Sequence, residues 1–311
     1  MSVTVVGSIA FDAVKTPFGR RERMLGGAAT HFALAGSFFD MVTVVGPVGD
    51  DFGSGEFEVL GTRGTNVGDV EQVAGGDTFF WSGEYGWDLN SRETLATELN
   101  VFAEFEPKLS PEARDCDVLF LANIQPELQL SVLEQCVSPQ FVAMDSMNLW
   151  IEIARDPLLE VISRVDCVVL NDAELRQLTV KPNLLTAARE VLSWGPSVVV
   201  AKQGEYGAAM ITAEGFFALP AYPLETVVDP TGAGDTFAGG FIGHLARNLP
   251  DRSSDAVLRQ AMAYGTALAS FNVEEFGTER VARLSPEEIH GRVDELRRIT
   301  HFEHDPITLH A

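Results

Sequence analysis

Glu225–Leu249, ETVVDPTGAGDTFAGGFIGHLARNL, is the stretch that most restricts the fold of this sequence. Its first apolar residues, Thr226–Val228, predict a strand, and residues 229–231 (Asp-Pro-Thr) are typical of a turn. Gly232–Gly234 come next, and from Asp235 onward apolar residues recur at helical spacing, which predicts a buried helix. The stretch therefore predicts a glycine-rich loop that opens a helix directly after a strand.

A glycine-rich loop at the start of a helix is suited to an anion. The first amides of a helix lack intrahelical partners, and the helix dipole makes that end positive. The small residues Gly232, Ala233 and Gly234 let an anion approach these amides, so they are candidates for stabilising a transferring phosphoryl group. Asp235 beside them is a candidate base for an attacking hydroxyl. A capping role for Asp235 and a plain tight turn at the glycines are the alternatives.

Two common phosphate-binding motifs are absent from the sequence. There is no G-x-x-x-x-G-K-S/T, which argues against a P-loop protein. There is also no G-x-G-x-x-G after the first predicted strand, which argues against the usual mode of dinucleotide binding.

Elsewhere, continuous apolar runs alternate with helical patterns such as Ala28–Phe39 and Leu184–Trp194. Runs of this kind are typical of a parallel sheet covered on both faces. Strands that alternate with helices predict right-handed βαβ units and a doubly wound α/β sheet. The predicted strands are Val3–Val6, Val42–Val45, Val118–Ala122, Phe141–Met144, Val165–Leu170 and Ser197–Ala201.

Two segments interrupt this alternation. Residues 13–25 contain turn residues and a run of charged side chains, and residues 70–84 alternate like a half-exposed strand on either side of Gly75-Gly76. We expect both segments to form antiparallel strands of a small β lid over the ligand site. Ordinary surface hairpins are the alternative.

Length, apolar content and cysteine spacing restrict the class of protein. A chain of 311 residues that is 46% apolar predicts a single domain, residues 1–311. No apolar run approaches the roughly 20 residues that span a bilayer. The three cysteines show no redox or metal spacing, and the start of the chain lacks a basic leader, so we expect a cytoplasmic protein.

The formal net charge of −23 argues against nucleic acid as a partner, because phosphate backbones require a basic surface. Only four lysines occur, and such an acidic surface stays solvated at high salt. We hypothesise that the source accumulates salt, in which case the melting temperature of the protein rises with salt up to molar concentration. An unchanged melting temperature would contradict this.

Asp229–Phe237, D-P-T-G-A-G-D-T-F, resembles the signature D-T-x-G-A-G-D-x-F of the ribokinase/PfkB carbohydrate kinase family. Further segments resemble family motifs in the same order along the chain. They are Gly7–Asp12, which ends in a substrate-binding acid, the di-glycine Gly26–Ala28, the G-x-x-G-x-D-x-x-G stretch in Val45–Gly53, the N-x-x-E of Asn171–Glu174, and the nucleotide-side loop Lys202–Gly207.

The resemblance implies a ribokinase-like three-layer αβα sandwich with a mostly parallel sheet and a small β lid. It implies transfer of the ATP γ-phosphate to an alcohol group of a sugar or sugar-like molecule, with Asp235 as base and Gly232, Ala233 and Gly234 as the anion hole. By the same likeness Asn171 and Glu174 organise Mg²⁺ through water.

The resemblance also identifies residues for the nucleotide, a cation and the acceptor. A monovalent cation such as K⁺ would lie near Asp229 and the Phe276-Gly277 loop. The nucleotide-site residues are Lys202, Gly204, Thr231, Gly232 and Gly234. Candidate contacts of the acceptor are Asp12, Gly26, Gly27, His31, Asn123 and Asp235.

His31 departs from the family pattern, since many sugar kinases have an asparagine at this position. The change puts simple ribose specificity in doubt, and a histidine packed under the lid is the structural alternative. Asn123 follows a predicted strand at the sheet edge where α/β proteins bind ligands, although ordinary loop polarity explains it equally well.

A sugar kinase is thus the first hypothesis, and an adenosine-type nucleoside kinase is the alternative. A non-catalytic ligand sensor on the same fold is a third, against which the intact Asp235 argues, because a binder needs no base. Free strand edges in the lid favour a homodimer through it.

Overall fold

A mixed nine-stranded sheet is the centre of the computed structural model, which describes residues 1–303. The end of the predicted domain, residues 304–311, lies outside the described residues. The strands are β1 (Ser2–Val6), β2 (Ala10–Thr16), β3 (Gly19–Gly26), β4 (Met41–Val48), β5 (Asn66–Gln72), β6 (Phe79–Tyr85), β7 (Arg92–Glu98), β8 (Val118–Leu121), β9 (Phe141–Asp145), β10 (Cys167–Asn171), β11 (Val198–Lys202), β12 (Ala208–Thr212) and β13 (Phe216–Leu219).

The main sheet has the order β13-β12-β11-β10-β9-β8-β1-β4-β5. Strands β11 to β5 run parallel, whereas β12 and β13 pair antiparallel at one edge. All six strands predicted from continuous apolar runs are present, as β1, β4, β8, β9, β10 and β11. This confirms the α/β class with a mostly parallel sheet. The hairpin β12–β13 was not predicted.

Helices cover both faces of the sheet. They are α1 (Ala28–Gly36), α2 (Ser54–Leu60), α3 (Pro111–Arg114), α4 (Pro126–Gln135), α5 (Asn148–Ile153), α6 (Arg155–Ile162), α7 (Asp172–Thr179), α8 (Leu184–Leu192), α9 (Ala233–Arg247), α10 (Asp255–Asn272), α11 (Glu279–Ala282) and α12 (Pro286–Thr300). Within residues 1–303, none of these helices is long and apolar enough to cross a membrane.

Alternate residues of the strands pack into two separate hydrophobic cores, one on each face of the sheet. Val3 and Val5 of β1 join a core that contains α1, α9 and α10, while Val6 joins a second core that contains α4, α6, α7 and α8. Successive side chains of a strand point to opposite faces, so a run that is apolar throughout requires cover on both sides. The result is the three-layer αβα sandwich that the resemblance implied.

A second, four-stranded sheet of order β3-β2-β6-β7 stands outside the sandwich. The predicted lid segment 13–25 falls within β2 and β3, which pair antiparallel. The predicted segment 70–84 is wrong as one unit, because its first part belongs to β5 and pairs parallel with β4 at the edge of the main sheet. Only its second part joins the small sheet, as β6, and the edge strand β7 was missed.

The strand predicted at Thr226–Val228 is also wrong. This segment has no ladder partner in either sheet, and it is held by a hydrogen bond from the Val228 amide to the Val273 carbonyl at 2.7 Å. Val228 instead packs in a cluster with Val14, Trp81 and Tyr85 of the small sheet.

Candidate active site

The glycine-rich loop leads directly into α9. Gly232 is the residue before the first helical turn and has a left-handed backbone, with φ of 73°. Asp235 lies within the first turn, so it is not the N-cap, and the capping alternative for this residue is wrong. The free amides of this partly buried helix start and the Asp235 carboxylate therefore lie close together.

Gly232 is required by its surroundings as well as by its backbone. A Cβ placed on it would lie 2.3 Å from the imidazole ring of His31, which projects from α1. The glycine-rich loop and His31 are therefore in direct contact, although they are far apart in the sequence.

Lys202, at the end of β11, supplies a cation beside this loop. Its ammonium lies 2.6 Å from the Asp145 carboxylate, and a Cβ on Gly234 would lie 3.1 Å from its Nζ atom. Burial raises the pKa of the Asp235 carboxyl, and the positive charge of Lys202 acts in the opposite direction. The site thus pairs a basic carboxylate with a fixed positive charge.

Asn171 and Glu174 form the N-terminal cap of α7. The Glu174 amide donates to the Asn171 side-chain oxygen at 2.8 Å, and the Asn171 amide donates to Glu174 Oε2 at the same distance. Burial raises the pKa of Glu174 to about 7. Each side chain keeps acceptor capacity beyond these two bonds, so the pair fits the water shell of a hydrated metal ion. Within residues 1–303, no cluster of three acidic, histidine or cysteine side chains could hold a metal.

Asp12 lies on β2 of the small sheet, and its carboxyl is buried. Burial raises its pKa to about 8, and the negative charges of Asp229 and Asp235 add to the effect. The di-glycine makes room for this group, because a Cβ on Gly26 would lie 1.9 Å from Asp12 Oδ2. Gly27 has φ of 95° and passes close to the backbone of residues 8–10, where the chain enters β2, which explains why neither position carries a side chain.

Asn123 and Gly204 lie at the same end of the main sheet, after the parallel strands β8 and β11. Asn123 follows β8, and its Oδ1 accepts a hydrogen bond from Trp150 Nε1 at 3.0 Å. Gly204 begins the turn after β11 with φ of 56°. Thr231 reaches the small sheet through its hydroxyl, which donates to the Tyr85 hydroxyl at 3.2 Å.

Asp229 has a structural role that the sequence did not reveal, since it holds two backbone amides. Its two carboxylate oxygens accept hydrogen bonds from the Thr231 amide at 2.9 Å and the Gly277 amide at 3.0 Å, and the side chain is fully buried. It therefore connects the glycine-rich loop to the loop that contains Gly277.

Sequence reasoning missed two residues of the site. Arg92 of β7 stacks over Trp81 with its guanidinium 5.3 Å from the ring centroid. Its positive charge lowers the pKa of Asp12 and of Asp235. Asn272 ends α10 and bonds to the His31 ring. No motif marked either residue, since Arg92 lies in a strand that was not predicted and Asn272 in an ordinary helical pattern.

The chain is similar to known kinases. The model of the pfkB family carbohydrate kinases matches residues 2–283. A cytidine kinase of Thermococcus kodakarensis is 32% identical over 80% of this chain and 90% of its own length. A ribokinase of Lactococcus lactis is 27% identical over 89% of this chain and 92% of its own length.

Solved structures show the same fold. The nucleoside kinase of Methanocaldococcus jannaschii superimposes with a TM-score of 0.76 at 21% identity, covering 94% of this chain and 98% of that one. The Burkholderia thailandensis nucleoside kinase in complex with inosine gives a TM-score of 0.77 at 18% identity, covering 94% and 97%.

The chain belongs to the pfkB family of carbohydrate kinases. It is a small-molecule kinase, an enzyme class that transfers phosphate to an alcohol group of a sugar or nucleoside. Kinases of the ribokinase family use ATP and a divalent metal.

Proposed function

We propose that this enzyme is a nucleoside kinase that transfers the ATP γ-phosphate to a hydroxyl group of a nucleoside, with Asp235 as general base. The observation that carries the chemistry is the position of the Asp235 carboxylate in the first turn of α9, beside the free amides of the loop and the ammonium of Lys202. An acid placed at an anion site has a clear use there as a proton acceptor.

In this mechanism Asp235 takes the proton of the acceptor hydroxyl. The hydroxyl oxygen then forms a bond to the γ-phosphorus while the bond from that phosphorus to the β–γ bridging oxygen breaks, and ADP leaves. The amides of Gly232, Ala233 and Gly234, together with Lys202, stabilise the negative charge of the phosphoryl group during transfer. The raised pKa of buried Asp235 makes it a stronger base than an exposed carboxylate.

The nucleotide lies along the ends of β10 and β11 in this proposal. Lys202, Gly204 and Thr231 line its site with the glycines of the loop. A Mg²⁺ ion would be held through water by Asn171 and Glu174, and when bound it neutralises phosphate charge. A monovalent cation such as K⁺ would bind near Asp229 and the 276–277 loop.

A nucleoside acceptor is favoured over a simple sugar by the relative that is 32% identical, a cytidine kinase, and by two further archaeal relatives named nucleoside kinase. In this proposal the acceptor lies between the small sheet and the main sheet, and its candidate contacts are Asp12, Gly26, Gly27, His31, Asn123 and Asp235. A sugar kinase is the second candidate, because the ribokinase relative also spans nearly the whole chain.

A homodimer through the small sheet completes the proposal. Its edge strands β3 and β7 each leave one side without a ladder partner within the described chain. Light scattering that shows a monomer at micromolar concentration would reject this part alone.

The test of the proposal is an ADP-release assay with ATP and Mg²⁺ over nucleosides and free sugars. We expect a kcat/KM for the best nucleoside, cytidine or inosine among them, at least about tenfold above that for ribose, a difference of about 1.4 kcal/mol in transition-state binding. A higher kcat/KM for ribose would make the enzyme a sugar kinase. No turnover with any acceptor would support the sensor hypothesis.

A further inference from the structure

Asn272 is a buried polar residue that the proposed chemistry does not use. Its Nδ2 atom donates to the Thr231 carbonyl at 2.7 Å, and its Oδ1 atom accepts from the Thr236 hydroxyl at 3.0 Å. The same Oδ1 atom lies 3.1 Å from Nδ1 of His31. One side chain at the end of α10 thus joins the phosphate-binding loop, α9 and α1.

These contacts fix which way the Asn272 amide points. The Thr231 carbonyl can only accept, so the amide atom that faces it must be the nitrogen. The oxygen therefore faces His31, and because an amide oxygen can only accept, His31 must carry its proton on Nδ1. A neutral imidazole has a single N–H group, so Nε2 is left as a hydrogen-bond acceptor.

The Nε2 atom of His31 is buried and has no hydrogen-bond partner within the described structure. Burial lowers the pKa of His31 to about 4, so the ring is neutral at physiological pH. A buried acceptor without a partner costs free energy, which a donor on a bound ligand can recover. The Nε2 edge of the ring also packs on Gly232, with Nε2 only 2.3 Å from where a Cβ on that glycine would lie, so this acceptor lies directly against the glycine-rich loop.

We propose that Asn272 is a positioning residue that holds His31 in its Nδ1–H tautomer, so that Nε2 accepts a hydrogen bond from a sugar hydroxyl of the acceptor. Through its bond to the Thr231 carbonyl, Asn272 also fixes the position of the phosphate-binding loop relative to His31. The ligand class is therefore a ribose with a free hydroxyl that faces Nε2, and the analogue without that hydroxyl leaves the acceptor unpaired. The identity of the ligand rests on the proposed function, whereas the tautomer does not.

The tautomer is tested by ¹⁵N NMR of the ligand-free enzyme labelled with ¹⁵N-histidine, with the His31 signals assigned by their loss in His31→Leu. We expect a protonated Nδ1 and an unprotonated Nε2 from mildly acidic to neutral pH. In Asn272→Leu the proton should move to Nε2 or exchange between both nitrogens. A proton on Nε2 in the wild-type enzyme would overturn the proposal, whatever the enzyme phosphorylates.

The role in specificity is tested with the preferred nucleoside and its 2′-deoxy and 3′-deoxy forms. For wild type we expect kcat/KM to be about tenfold or more lower for one deoxy form, because a buried acceptor loses its partner. His31→Leu and Asn272→Leu should remove most of this ratio and raise KM for the nucleoside more than for ATP. Thr236→Val is the matched control, because it removes a donor to the same oxygen but leaves the amide orientation and His31 in place.

A ribose-to-deoxyribose ratio in Asn272→Leu equal to that of wild type would contradict the proposal. If Asn272→Leu does not fold, the wild-type ¹⁵N spectrum and the ratio in His31→Leu decide the question. Absence of nucleoside turnover would reject the proposed function and leave the NMR test of the tautomer intact.

Discussion

The Lys202 ammonium lies 2.6 Å from the Asp145 carboxylate, although β10 separates the two strands that carry them. Burial acts to lower the pKa of Lys202, but Asp145, Glu174 and Asp235 together raise it, so the side chain stays charged. A cation is thus fixed beside the phosphate-binding loop before any ligand arrives. Such preorganised charge stabilises a transition state without the cost of reorganising solvent.

Asp235→Asn tests the base. The substitution keeps size and polarity but removes basicity, so we expect kcat to fall by at least about 10²-fold with ATP affinity and melting temperature unchanged. Steady-state kinetics on the preferred acceptor and a thermal melt measure both. Asp229→Asn is the control acid, and it should instead lower the melting temperature, because Asp229 holds two backbone amides. Turnover of Asp235→Asn within about threefold of wild type would contradict the mechanism.

Gly232→Ala and Gly234→Ala test which of these two positions in the loop requires glycine for stability. At Gly232 the left-handed backbone and the His31 ring both exclude a Cβ, so we expect a destabilised protein with little activity. At Gly234 the nearest atom is the end of the Lys202 side chain, which can move, so stability should change little while KM for ATP rises. Circular dichroism melts and ATP kinetics distinguish them. Equal melting temperatures for the two variants would refute the explanation for Gly232.

Arg92→Gln tests whether the positive charge of Arg92 lowers the pKa of Asp235. Arg92 lowers the pKa of Asp235, so its removal should raise that pKa and move the acidic limb of the kcat/KM profile to higher pH. Arg20→Gln is the matched control, since Arg20 is an exposed residue of the same sheet whose partner is Glu22. Superimposable pH profiles for Arg92→Gln and wild type would show that Arg92 does not act on the base.

Asp12 makes stability depend on pH. Its pKa is about 8 in the folded protein and 3.8 as an ordinary carboxyl, so the folded state holds the proton more tightly. This contribution to stability is complete below the ordinary pKa and is lost as pH rises toward 8. Glu174 acts in the same direction, but only up to about pH 7.

Asp12→Asn should therefore make the fall in unfolding free energy between about pH 7 and 8 smaller. Glu174→Gln, which preserves the cap of α7, should flatten the curve only below that range. Urea denaturation at a series of pH values provides the measurement. An unaltered slope above pH 7 in Asp12→Asn would show that Asp12 is already ionised there.

The sequence predicts the parallel sheet because buried strands need apolar residues on both faces, and β1 and β8 show this pattern plainly. It identifies Asp235 as a candidate base because few other kinds of site require a loop as rich in small residues as the one before α9. It could not place β7, whose exposed polar residues resemble those of any loop. It misjudged β5 because a half-buried edge strand of the main sheet alternates just as a lid strand does. The sequence also did not identify Arg92 and Asn272, because their roles depend on tertiary contacts that no local pattern reveals.

The small sheet joins strands that are far apart in the chain. Lys15 on β2 meets Glu84 on β6, and α1, β4, α2 and β5 lie between these two strands. Contacts of such long range form slowly, because a large loop must close before they add stability. The acceptor side of the pocket therefore depends on a pairing that is complete only when the segment between β2 and β6 has brought these two strands together.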